Sequence, residues 1–205
     1  GILPFSKTHV VNGSGVDLKR FSFTMLPETE ITFLCISRLL GEKGLREYAG
    51  AAKIVKKAFP MVKFNLVGPT DPSPDAIPFK EVKTWKSFVD YKGFTDDVRP
   101  FIKNCHVYVL PSYHEGVPKS SLEAMSMGRA ILTTNAPGCR ETVKEGINGF
   151  KVSVGSIIKL AEKMIWYIEN KDKMQSMGKE SRKIVENKFD VDKVNEEMLR
   201  ILGVE

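Results

Sequence analysis

Short apolar strands alternating with amphipathic helices constrain this 205-residue chain more than any other feature of its sequence. Ile31–Ser37 is an almost continuous apolar run with β-branched members, the pattern of a strand buried on both faces. Leu45, Tyr48, Ala52, Val55 and Phe59 then recur at steps of three and four, which predicts a helix with one buried face. Pro60 ends it. Further strands are predicted over Met61–Val67, closed by Gly68-Pro69, over Phe88–Tyr91, running into Gly93, and over His106–Leu110, ended by Pro111. Ala130–Thr134 and Phe150–Val154 follow the same rule, the latter after the turn Gly146-Ile147-Asn148-Gly149, and Thr8–Val11 reads as a short first strand. Between them, Asp71–Pro78 is a Pro- and Asp-rich loop. Phe79–Ser87 is a short helix, and Asp96-Asp97 caps another that runs to Ile102. Pro118–Met127 is a helix with Pro in its first turn and Gly128 past its end. From Ser156 the period is helical only, with one helix marked by Ile157, Leu160, Met164 and Ile168, a second by Met174, Met177, Ser181, Ile184 and Val185, and a third over Asp192–Leu202.

This order predicts an α/β fold: a doubly wound, Rossmann-like parallel sheet followed by C-terminal helices. The length suits one domain, so residues 1–205 are read as a single unit. A 42% hydrophobic content is enough for a core and excludes collagenous and largely disordered chains. No apolar run approaches the roughly 20 residues that span a bilayer, and no secretory signal is recognised. The chain begins with Gly1, and Ile2-Leu3-Pro4 reads like the interior of a longer protein, with Gly1 as a scar. The net charge of +6 suits anionic small molecules, acidic lipid or nucleic acid, and equally plain solubility. Cys35, Cys105 and Cys139 are widely spaced and odd in number, as expected for free thiols in a reducing compartment.

Doubly wound sheets bind ligands at the carboxyl ends of their strands, above all where the strand order reverses. Two segments stand there. Ser37-Arg38-Leu39-Leu40-Gly41-Glu42-Lys43-Gly44 follows the strand Ile31–Ser37. Arg38 and Lys43 precede a helix whose dipole disfavours cations, a cost that a bound anion such as a diphosphate offsets. Two solvated surface charges would give the same segment. The second, Pro111–Glu123, follows the strand His106–Leu110 and places Glu115 in a loop, Pro118 at a helix start and Glu123 further along that helix. Its opening amides suit phosphate and its two carboxylates suit hydroxyls of different sugar rings; a capping loop with acidic side chains is the plainer alternative.

Together these pieces resemble the C-terminal, donor-binding domain of retaining GT-B glycosyltransferases, and are similar to family 4 of those enzymes. The paired glutamates Glu115 and Glu123 followed by Ala124-Met125, Arg38 with Glu42-Lys43-Gly44, and Gly15-Val16-Asp17 with Phe21 carry the resemblance. So do Asn135-Ala136-Pro137-Gly138-Cys139-Arg140-Glu141 and the turn at Gly146–Phe150, all in order from about Val10 to the C-terminus. The resemblance implies that Arg38 and Lys43 bind and stabilise the leaving diphosphate, that Glu115 contacts the donor sugar and that Glu123 holds the ribose. It implies a phosphate cradle over Gly116, Val117, Pro118, Lys119, Ser120, Ser121 and Leu122. The base would lie on the backbone of Gly93, Phe94 and Thr95, with close approach of the entry loop at Gly13 and Gly15. The implied donor is a UDP-linked sugar, hinted at as an N-acetylhexosamine by Gly13-Ser14-Gly15 and Pro137-Gly138-Cys139. The implied acceptor is a glycan or lipid-linked glycan, met through an N-terminal domain outside this sequence, without which the domain would be inactive. No metal, cofactor or nucleic acid is expected. The implied location is cytoplasmic, with peripheral association of the full protein at the inner face of a bacterial membrane.

Other signals are weaker. His9, His106 and His114 lack metal-ligand spacing with the cysteines, and Asp190-Val191-Asp192 reads as a helix cap. Trp85, Trp166 and the methionines fall at packing positions. A glycosidase using both carboxylates would leave Arg38 and Lys43 idle, and the Gly-x-Gly-x-x-Gly fingerprint of an oxidoreductase is absent. A UDP-sugar epimerase and a non-catalytic nucleotide-sugar-binding module remain the rival readings.

Overall fold

The computed structural model describes residues 13–204, so the expected strand at Thr8–Val11, with His9, lies outside the described residues. Six strands form one parallel sheet: β1 (Thr32–Ile36), β2 (Lys63–Val67), β3 (Asp90–Tyr91), β4 (Val107–Leu110), β5 (Ala130–Thr134) and β6 (Gly149–Val152). Their spatial order is β3-β2-β1-β4-β5-β6. Phe33 of β1 stands between Phe64 of β2 and Val107 of β4. The helices are α1 (Leu45–Ala58), α2 (Phe79–Thr84), α3 (Arg99–Lys103), α4 (Lys119–Ser126), α5 (Ile157–Glu169), α6 (Lys171–Lys188) and α7 (Val191–Leu202).

Alternation along the strands sends side chains into two apolar layers. Phe33, Cys35, Phe64, Leu66, Val107 and Val109 pack with α1, α2 and α5 on one face. Leu34, Val67, Tyr108, Leu110 and Ile131 pack with α3 and α4 on the other. The long helix α6 serves both, with Met174 and Met177 in the first layer and Val185 in the second. Trp85 and the three cysteines are buried, the cysteines as free thiols. Burial pushes the Cys105 thiol up to about 12.

Within the described residues the expected strands and helices are found, with shifts at their ends. Backbone bonds from Val62 to Phe59 and from Phe88 and Val89 to Trp85 keep those residues in turns, so β2 starts at Lys63 and β3 shrinks to two residues. Pro118 is the N-cap of α4 rather than part of its first turn. The N-cap of α3 is Val98, while Asp97 accepts from the amide of Arg99 at 3.1 Å. Asp190 does cap α7, accepting from the amide of Asp192 at 3.2 Å. Among the described residues no helix is long and apolar enough to cross a membrane.

Two buried polar side chains fasten the amino ends of the central strands. Arg129 is fully buried and donates to the carbonyls of Ile102 at 2.8 Å and Thr24 at 3.2 Å and to the Thr24 hydroxyl, which ties the entry segment and the end of α3 to β5. His106 accepts from the Thr32 amide through Nδ1 at 3.1 Å, and burial depresses its pKa. The unfolded chain therefore takes up a proton that the folded chain resists. Stability from this group is complete above the unfolded value of about 6.5 and falls as pH drops below it. His106→Asn keeps an acceptor for Thr32, so its urea midpoint should fall less between pH 7.5 and pH 5 than that of the wild type. Equal falls would contradict the assignment.

Candidate functional site

Strands β1 and β4 are neighbours, yet the helices that follow them leave to opposite faces, so their carboxyl ends open a crevice. A cleft of about 360 Å³ occupies it. It is lined by Ile36, Ser37 and Arg38 from the end of β1, by Lys43 before α1, by Leu110 and Glu115 after β4, and by Pro118, Lys119, Ser120 and Glu123 of α4. A larger groove, about 500 Å³, opens at the other edge of the sheet, where the strands begin. Three of its four lysines are engaged: Lys63 with Glu30, Lys92 with Asp90, and Lys56 with the Pro60 carbonyl.

The charges of the crevice converge. Lys43 Nζ lies 2.9 Å from Glu115 Oε1 and 3.1 Å from Glu42 Oε1, with the Lys43 and Glu115 side chains only 12% and 17% exposed. Burial opposes the ammonium charge, but bonds and attraction from Glu115 and Glu42 outweigh it and leave the Lys43 pKa above its ordinary value. Arg38 is exposed and bonds Asp71 Oδ2 at 2.8 Å. Asp71 also accepts from Ser73, and Ser73 and Arg38 together hold its carboxyl below the usual range. Burial raises the pKa of Glu123, against attraction from Lys119 and Arg20. Helix α4 points its amino end into the same space. The amides of Ser121 and Leu122 turn back to Pro118, and those of Lys119 and Ser120 precede any intrahelical acceptor. A helix start beside a half-buried lysine is a favourable place for negative charge. Among the described residues no three His, Cys, Asp or Glu side chains gather as a metal would require.

The two loops are stitched together. The Tyr113 amide donates to Glu42 at 2.8 Å, and the Ser112 hydroxyl lies 3.1 Å from the same carbonyl. Gly44, at φ +69°, lets the start of α1 meet Pro111, whose carbonyl oxygen would sit 2.0 Å from a Cβ. On the far side, the Glu115 amide donates to Pro137 at 3.1 Å. Gly138, at φ +80°, presses on this loop so closely that a Cβ would stand 1.7 Å from the Gly116 oxygen and 2.2 Å from that of Glu115.

Of the residues singled out in the sequence, Arg38, Lys43, Glu115, Pro118, Lys119, Ser120 and Glu123 line one cleft. Gly116, Val117, Ser121 and Leu122 belong to the same loop and helix turn but not to the lining; Ser121 Oγ is buried and finds no protein partner among the described residues. Gly93, Phe94 and Thr95 lie past β3 on the same edge of the sheet, with the Gly93 carbonyl bonded to the Gly68 amide and Phe94 exposed. Gly13 abuts Val117, whereas Gly15 accommodates the backbone of Val191 at the start of α7.

Residues 19–184 match the model of the family described as glycosyl transferases group 1. The chain belongs to that family. It is 29% identical over 188 residues to the N,N'-diacetylbacillosaminyl-diphospho-undecaprenol alpha-1,3-N-acetylgalactosaminyltransferase of Campylobacter jejuni, covering 85% of this chain and 48% of that one. It is 30% identical over 165 residues to the capsular polysaccharide biosynthesis glycosyltransferase CapM of Staphylococcus aureus, covering 80% and 43%. The chain thus spans about half the length of the curated relatives it matches. Its fold is also that of Anabaena Alr3699/HepE, solved in complex with UDP, with a TM-score of 0.80 at 23% identity over 93% of this chain and 56% of that one. A group 1 glycosyltransferase architecture is what the resemblance to the GT-B C-terminal half implied.

Sequence reasoning missed Asp71, Tyr108 and the pressure of Gly138 on the Glu115 loop. Asp71 could have been found from pairing alone: β2 lies beside β1, so the loop after Gly68 flanks the loop of Arg38, and an acid there meets a guanidinium. Gly138→Ala should lower the unfolding free energy by about 2 kcal/mol or more, because both its φ and its space are forbidden to a Cβ. Urea denaturation checks this, and an unchanged midpoint would contradict the close packing.

Proposed function

We propose that this glycosyltransferase domain binds a nucleotide-diphosphate sugar, UDP-linked, with its diphosphate between Lys43, Arg38 and the amino end of α4. The Lys43–Glu115 pair at that helix start carries the reading. The lysine's charge is answered by Glu115. An incoming diphosphate takes the ammonium and frees the carboxylate to face the sugar. The exchange keeps the half-buried lysine paired throughout and turns Glu115 toward the reacting ring.

The chemistry follows from charge. Breaking the sugar–phosphate bond leaves growing negative charge on the diphosphate, and a fixed ammonium, a guanidinium and helix amides meet it without reorganising. Glu123, partly buried with a raised pKa, suits the ribose hydroxyls. Gly116, Val117, Pro118, Lys119, Ser120, Ser121 and Leu122 form the cradle, Gly93-Phe94-Thr95 receives the base, and Gly13 and Gly15 shape the entry loop. Transfer proceeds with retention, as the resemblance to family 4 implies, and needs no metal. Relatives named for undecaprenol-linked and capsular substrates support a lipid-linked or polysaccharide acceptor, met through the half that the relatives carry beyond this match. The whole enzyme would then work at the cytoplasmic face of a membrane, and this chain alone binds the donor without transferring it.

Calorimetric titration with UDP, GDP and ADP sugars tests the reading. One nucleotide should bind best, and Lys43→Ala and Glu123→Ala should each weaken it about tenfold or more, the cost of losing a hydrogen bond to a charged group. Equal weak heats for all three, unchanged in the variants, would refute it.

A further inference from the structure

The first turn of α4 lacks a side-chain cap. What fixes it comes from beneath. Tyr108 of β4 is fully buried in the α4 layer, and its hydroxyl lies 2.6 Å from Ser120 Oγ and 3.2 Å from the carbonyl oxygen of Ile36. Ile36 ends β1 and Ser120 is the second residue of α4, and both line the cleft. One phenol therefore joins the two walls of the crevice across the point where the strand order reverses.

We propose that Tyr108 is a positioning residue for the diphosphate: it holds Ser120 so that the serine hydroxyl donates to a phosphate oxygen. This rests on the donor-site reading above. Each hydroxyl has one proton. With Tyr108 donating to the Ile36 carbonyl, Ser120 donates to Tyr108. Phosphate oxygens only accept, so a bound diphosphate draws the serine proton to itself, and Tyr108 then donates to Ser120 Oγ. No heavy atom need move. The incoming bond from the phenol polarises the serine hydroxyl and strengthens it as a donor.

The test titrates inorganic pyrophosphate and UDP into the wild-type chain, Tyr108→Phe, Ser120→Ala and the double variant. Tyr108→Phe and Ser120→Ala should each weaken both ligands about tenfold, the usual effect of one such hydrogen bond. The double variant should be no weaker than Ser120→Ala, because Tyr108 acts through Ser120. Unchanged pyrophosphate affinity in Tyr108→Phe, or losses that add in the double variant as a merely structural role would give, overturns the proposal. Should Tyr108→Phe not fold, Ser120→Thr reads the same link: it keeps the hydroxyl and should bind pyrophosphate like the wild type, and a loss equal to that of Ser120→Ala counts against the proposal. A wild type that binds pyrophosphate but no nucleotide refutes the nucleotide reading while the pyrophosphate series still decides the role of Tyr108. A wild type that binds neither ends both.

Discussion

Everything in the site depends on one topological fact: β1 and β4 lie side by side while α1 and α4 cover opposite faces of the sheet. Two loops that are far apart in sequence are thereby forced into one crevice. Had the chain wound in one direction only, Lys43 and Glu115 would stand above different strands and the start of α4 would face a neighbouring helix. The reversal brings a lysine, two carboxylates and a helix amino terminus together without any insertion or extra element.

The Lys43 side chain is largely covered within that crevice, which makes its charge costly without a partner. Glu115 and Glu42 answer it. Stitching by Ser112, Tyr113 and Gly44 on one side and by Pro137 and Gly138 on the other holds Glu115 at that distance. These links place the lysine, the carboxylates and the helix start before any ligand arrives, and the proposed binding step would replace one carboxylate with another acceptor. Arg38 differs. It is exposed and paired with Asp71, so its charge is more screened by solvent than that of Lys43.

Much of this could be read from residues. The apolar run Ile31–Ile36 announced a strand covered on both faces, and such strands come with crossover helices and ligand sites at their carboxyl ends. Arg38, Lys43, Glu115 and Glu123 fall in segments that follow strands in the sequence, and the structure brings them to one cleft. Element ends were harder, because turns at Phe59–Val62 and Trp85–Val89 consumed residues whose apolar character fits a strand equally well. Side-chain links such as Tyr108 to Ser120, and the push of Gly138 on Glu115, depend on which strands become neighbours, and no local pattern encodes that. Gly15 illustrates the same limit: its positive φ is plain in the structure, but the backbone it makes room for is that of Val191, 176 positions away.

A crystal structure of the chain with bound UDP tests the central claim most directly. The account predicts a phosphate oxygen within hydrogen-bond distance of both Lys43 Nζ and the opening amides of α4, with Glu115 released from the lysine. Nucleotide bound in the groove at the amino ends of the strands, or bound in the crevice with the Lys43–Glu115 pair intact, would contradict it.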